Sequence, residues 1–161
     1  MGFLAESRAQ VVPRTLLVVL RVYLGVLFLR SALPKVQAGS EWAGRMAAFL
    51  ERVLPRSYEF YRGFLEATVL PNKELVAFLV SWGEVLVGAA LLLGVVTRLA
   101  ALMGIVMTGN YLLAKGVSWL AASSHDALFI LMLLVVLLGA AGRAYGVDYF
   151  LAKRWPQWPL W

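Results

Sequence analysis

Residues Ser81–Arg98 read SWGEVLVGAALLLGVVTR. The stretch is apolar throughout and, with its flanks, long enough to cross a bilayer, which takes about 20 such residues. Glu84 is its only charge before Arg98. A carboxylate in that setting needs a proton or a partner, and a reason to be there.

Three similar runs lie around it. The first covers residues 15–33, TLLVVLRVYLGVLFLRSAL, and is expected to stop at Pro34. The run holding Glu84 extends over residues 75–96, the next over 99–119, and the last over 126–142. Only VVTR separates the middle two, so they form a tight antiparallel hairpin with Gly94 as the helix-ending residue. The chain has 161 residues, of which 61% are hydrophobic and 15% charged, too apolar for a soluble protein of this length. The expected fold is all-α: one integral membrane four-helix bundle.

The roughly 40 residues between the first two runs differ in character. Residues 41–54 put Trp42, Met46, Phe49, Leu50 and Val53 on one helical stripe, and residues 58–70 repeat the pattern with Phe60, Tyr61, Phe64 and Leu65. Both predict amphipathic helices lying at the interface, either as a structured loop or as a lid over a site. The tail over 153–161 sets Trp155, Trp158 and Trp161 beside Lys153 and Arg154, a pattern suited to the headgroup layer or to docking a partner.

Composition also excludes chemistry. With no cysteine there is no disulfide, thiolate metal site or dithiol exchange. With one histidine, His125, there is no bis-histidine haem and no multi-histidine metal centre within the chain. The net charge of +6 belongs to cations flanking apolar runs, which points to the lipid bilayer and not to nucleic acid. Cations divide almost evenly between the two sides. The long, carboxylate-containing first loop is expected outside a cell (inner) membrane, with both termini cytoplasmic.

Polar residues inside the spans gather in the half nearest the long loop. Glu84 and Asn110 both come out roughly 13 Å deep, at about 1.5 Å per residue. Arg30 is nearer that rim and Arg21 deeper, and either could pair with Glu84. Lys35, Lys115, His125 and Asp126 lie near the rim, with Tyr111 close in sequence. The plain structural readings stand beside this: a charge pair that fixes packing, Asn110 bonding across helices, and Asp126 favoured in a helix first turn after Ser123 and Ser124. Ala90 with Gly94, and Ala100 with Gly104, read as close-packing positions.

RVYLGVLFLRSALPK, WGEVLVGAALLLGVVTRLAALMG, NYLLAKG and AGRAYGVDYFL together resemble the DoxX/DoxD family, and most closely its DoxD-type members, the membrane subunit of thiosulfate:quinone oxidoreductase. The resemblance implies a four-helix membrane protein tied to sulfur-compound oxidation or redox stress, passing electrons from thiosulfate to membrane quinone. Some relatives look like scaffolds without chemistry of their own. On that reading Arg30, Lys35, Tyr111, Lys115 and His125 would attract and bind a small anion, while Glu84 and Asn110 would hydrogen-bond quinone and relay protons. The competing function is a non-catalytic quinone- or lipid-binding subunit of a larger respiratory or redox-stress complex. An anion transporter ranks last, because neither repeats nor broken helices are visible.

Overall fold

A computed structural model describes residues 14–121, 124–139, 141–143, 145–155 and 157, the side chains of Arg14 and Arg143 excepted. Helix α1 runs Arg14–Ala38, α2 Ser40–Val53, α3 Glu59–Phe64, α4 Lys73–Leu93, α5 Thr97–Lys115, α6 His125–Leu138 and α7 Val147–Arg154. A 3₁₀ turn, Leu54–Arg56, links α2 to α3; a π-helical turn, Leu65–Val69, extends α3; a second 3₁₀ turn, Ala141–Arg143, precedes α7. The described chain is all-α, and α1, α4 and α5 are long and apolar enough to cross a membrane.

Three helix ends differ from the sequence expectation by four residues or more. The first is that of α5, which stops at Lys115 and not at Trp119 because Gly116 turns left-handed there, with φ 62°. Helix α1 does not stop at Pro34 but continues through it to Ala38. The proline withholds one N–H, from the Arg30 carbonyl, and blocks nothing after it. The extra turn carries Lys35 to the bundle. Helix α6 ends at Leu138, not Gly142, and its 14 residues fall short of a full crossing. The small residues after it let the backbone close on α5: a Cβ on Gly142 would strike the side chains of Thr97 and Asp148. The caps suggested for α6 lie partly outside the described residues, which leave out Ser123, and Ser124 makes no side-chain cap.

α1 packs along α4, and α5 along α6. Leu24, Phe28, Val87, Leu91, Ala101, Leu133 and Val136 form the central core. The α1–α4 contact is backbone to backbone. A Cβ on Gly88 would sit 2.9 Å from the Leu29 nitrogen and 3.0 Å from the Gly25 carbonyl oxygen. This pair, Gly25 with Gly88, carries the closest approach of those two helices, which the small-residue pairs expected on α4 and α5 do not capture. Gly88→Val should therefore cost about 1–3 kcal/mol through overpacking. A thermal or denaturant unfolding series in which Gly88→Val matches wild type would refute the close approach.

At the α4–α5 hairpin, Gly94 is left-handed as expected, with φ 68°, but so is Val96, with φ 41°. A β-branched residue resists that conformation. It is held by Asp148, whose Oδ1 accepts from the Val96 N–H at 2.6 Å and whose Oδ2 accepts from the Thr97 N–H at 2.8 Å. The fully buried Asp148 of α7 thus caps α5 from across the fold. Arg21 lies beside it, donating to the carbonyls of Ala141 at 3.1 Å and Tyr145 at 3.0 Å. Most of the aromatic tail falls outside the described residues. Of its cations, Lys153 stacks on Tyr149 at 4.2 Å and Arg154 on Trp155 at 5.6 Å.

Helices α2 and α3 form a second small core at the long-loop end, where Met46, Leu50, Leu65 and Val69 pack on Ala77 and Ala114. Ser57 pins the turn between them by donating to the Ala114 carbonyl at 2.5 Å.

Candidate functional site

Helix phase sets the site. Phe28, Ala32 and Lys35 follow one another on the face of α1 turned to the bundle, and Arg30 falls on the opposite face. Lys35, not an arginine, is therefore the partner of Glu84. Its Nζ donates to Oε1 at 2.6 Å and Oε2 at 2.5 Å. Tyr111 Oη donates to Oε1 at 2.7 Å. The expected pairings of Glu84 with Arg30 or Arg21 are both corrected: Arg30 is exposed on the outer flank, and Arg21 is level with Gly94 at the far end. The Glu84 side chain is 2% exposed and that of Lys35 15%, so this is a buried ion pair with a hydroxyl as third member.

In front of the triad lies a cavity of about 970 Å³. It runs between α4 and α5 and is roofed by α2 and α3. Its wall is apolar, from Phe49, Phe64, Leu79, Val87, Met103 and Met107 among others. Leu79, Leu86, Met103 and Val106 line it and are also exposed on the outer flank, so the cavity opens sideways, towards acyl chains. The α2–α3 segment covers it from the long-loop end as a lid would.

Polar groups concentrate at one end. Lys35, Tyr111, Asn110, Tyr61, Lys115 and Asp126 all line the cavity. Glu84 does not; it stands behind Lys35 and Tyr111 and is a positioning residue. Donors remain available on several lining residues: one of three on Lys35 Nζ, one of three on Lys115 Nζ, one of two on Asn110 Nδ2, whose other bond goes to the Val106 carbonyl at 2.6 Å, and the buried Trp42 Nε1–H, which has no hydrogen-bond partner among the described residues. Tyr61 donates to Asn110 Oδ1. Burial pushes the Tyr61 hydroxyl above its ordinary value, so it stays a protonated donor. Lys115 bridges to Asp126 at 2.8 Å on the rim.

Of the residues expected in the site, the structure assembles Glu84, Lys35, Tyr111, Asn110 and Lys115. Arg30, His125 and Arg21 do not reach the cavity. Sequence reasoning missed Tyr61 and Trp42 as lining residues. Both sit on the amphipathic stripes of α2 and α3, and a polar hydroxyl on an otherwise apolar stripe was the available signal for Tyr61. The Lys35 ammonium also lies 5.3 Å from the Trp42 ring and 5.5 Å from that of Tyr111.

A bundle of apolar spans with its polar side chains around a side-opening cavity defines a multi-pass membrane protein. Residues 16–115 match the DoxX family model, and the chain belongs to the DoxX family. The match covers α1 to α5, hence the whole Lys35–Glu84–Tyr111 triad, and leaves out Asp126 and Asp148. No solved structure matches the chain.

Proposed function

We propose that this chain is the quinone-binding membrane subunit of a redox complex, with the ligand in the α4–α5 cavity. The observation that carries this is the cavity's polarity: an apolar slot open to the bilayer, ending in Lys35, Tyr111 and Asn110. Membrane-embedded ligands with an apolar body and carbonyl ends need that combination. The residues fit such a group, because Lys35 Nζ and Asn110 Nδ2 each keep a donor for a carbonyl oxygen. Bound quinone would supply two-electron acceptor chemistry. The chain's own part is to hold and orient the ring, exclude water, and set the free donor of Lys35 Nζ beside it, with Glu84 fixing both Lys35 and Tyr111.

Thiosulfate as electron donor on this chain, the DoxD-type reading, has less support. Of the four basic residues expected to attract a dianion, Arg30 and His125 do not line the cavity, and Lys35 and Lys115 each face a carboxylate at short range. The electrons are then best supplied by a partner subunit.

The test is a titration of short-tailed benzoquinone and naphthoquinone into the protein in lipid nanodiscs, read by tryptophan fluorescence. Saturable binding is expected. Asn110→Leu should weaken it about five- to tenfold, the equivalent of ~1–1.5 kcal/mol for one hydrogen bond. Val106→Trp, which fills the mouth, should abolish it. Absence of saturation, or indifference to Val106→Trp, sinks the reading. Quinol formation on adding thiosulfate to the isolated chain would restore the DoxD-type reaction.

A further inference from the structure

A cation stands in the middle of the outer flank with nothing among the described residues to neutralise it. Gly25 packs between Gly88 and Leu92, and Gly88 between Gly25 and Leu29. In this antiparallel register Arg30 lies level with about Val85, deeper than the rim position expected from the sequence, because α1 continues past Pro34 to Ala38. That is eight residues from Leu93 and twelve from Lys73, roughly 12 and 18 Å along the axis. Both distances exceed what an extended arginine side chain spans, so its guanidinium does not simply reach the headgroups by leaning along the helix. Arg30 is exposed and has no hydrogen-bond or ion-pair partner among the described residues. A charge so placed against lipid is costly and is rarely left unpaired.

Its surroundings form a seam. Val19, Tyr23, Val26, Arg30 and Leu33 are all exposed and repeat at alternating spacings of four and three, the spacing at which one helix lies along another. Pro34, one turn on, has no N–H for the Arg30 carbonyl, so the same outer turn also lacks that helical hydrogen bond. A second copy of this chain offers no match. Among the described acidic residues Glu84 alone lies mid-span, and it is buried against Lys35 and Tyr111. No described residue of this chain can therefore supply the complement, which points to a different polypeptide.

We infer that the outer face of α1 docks a membrane-spanning helix of another protein, one that carries an aspartate or glutamate near its midpoint to pair with Arg30. The inference is independent of what fills the α4–α5 cavity, because Arg30 and its stripe lie on the other side of α1.

The natural absence of cysteine makes a clean assay. The full chain, labelled through Leu120→Cys with a donor fluorophore, is reconstituted in phosphatidylcholine vesicles. Acceptor-labelled leucine–alanine peptides of about 20 residues are added, one with a central glutamate and one with a central glutamine. The glutamate peptide should associate about tenfold more tightly, and Arg30→Leu should bring the two within about twofold. Arg30→Lys should keep part of the preference, which separates charge pairing from a folding defect. Equal association of the two peptides, or a preference that survives Arg30→Leu, overturns the inference. So does energy transfer between donor- and acceptor-labelled copies of the chain that Arg30→Leu removes, which would make the seam a self-interface. A preference that disappears on adding anionic phosphatidylglycerol also overturns it, because lipid would then be serving Arg30.

Discussion

Glu84→Ala is expected to lose about 3–5 kcal/mol of stability, the usual cost of leaving a buried ion pair half-occupied. The Lys35 ammonium would keep its position, 15% exposed, with neither carboxylate oxygen to receive it. Tyr111 would lose its acceptor as well. The double replacement Lys35→Met with Glu84→Leu should recover most of that loss, since a well-packed apolar pair of similar volume is often neutral or stabilising. The comparison separates two roles. If the pair served only to hold α1 to α4, the double variant would behave as wild type in every assay. With a ligand at the polar end of the cavity, the double variant folds and yet binds quinone at least about tenfold more weakly, having lost the Lys35 donor. Unfolding in nanodiscs, followed beside quinone titration, reads both. A double variant with wild-type affinity would remove Lys35 from the site.

Asp148→Ala should be comparably damaging, at about 3–5 kcal/mol, although Asp148 is far from the cavity. Its two oxygens accept from the first N–H groups of α5, and bonds to an ionised group are worth about 1.5–3 kcal/mol each. The left-handed Val96 would be left without the contact that fixes it, and Arg21, 1% exposed, without the carboxylate acting on it. Asp148→Asn retains one acceptor and should lose about half as much. The distinguishing sign is local. Proteolysis should cut the alanine variant near Gly146 before the bundle unfolds, because α7 depends on this cap more than the spans do. Simultaneous loss of α7 and the bundle would show that the C-terminal segment is an integral part of the core.

The spans α1, α4 and α5 were legible because each is a long apolar run, and length with hydropathy suffices for that; α6 is apolar but shorter than the run expected for it. The hairpin was legible because four residues between two spans leave no other path. Glu84 stood out because carboxylates are rare at such depth. Its partner was hidden by one local assumption: a helix halted at Pro34 excludes Lys35 from the bundle, and only then do Arg30 and Arg21 become the nearest cations. Phase carries the missing information, since Lys35 continues the buried positions Phe28 and Ala32 while Arg30 opposes them. Asp148 and Arg21 were beyond reach for a different reason. They meet across more than a hundred residues of chain, and no local pattern in GVDY says which helix end its aspartate will cap. Tyr61 joined the cavity through the fold of α3 back over α5, which is likewise a product of tertiary packing.

The sideways mouth of the cavity sets the scale on which occupancy is counted. A ligand that arrives between acyl chains competes with lipid tails, so its effective concentration is a mole fraction in the bilayer and not a molarity in water. Diluting a membrane sample with buffer leaves such a site as full as before. Adding detergent or plain lipid empties it, and a preparation washed in micelles reports on a protein whose natural occupant has been thinned out in two dimensions.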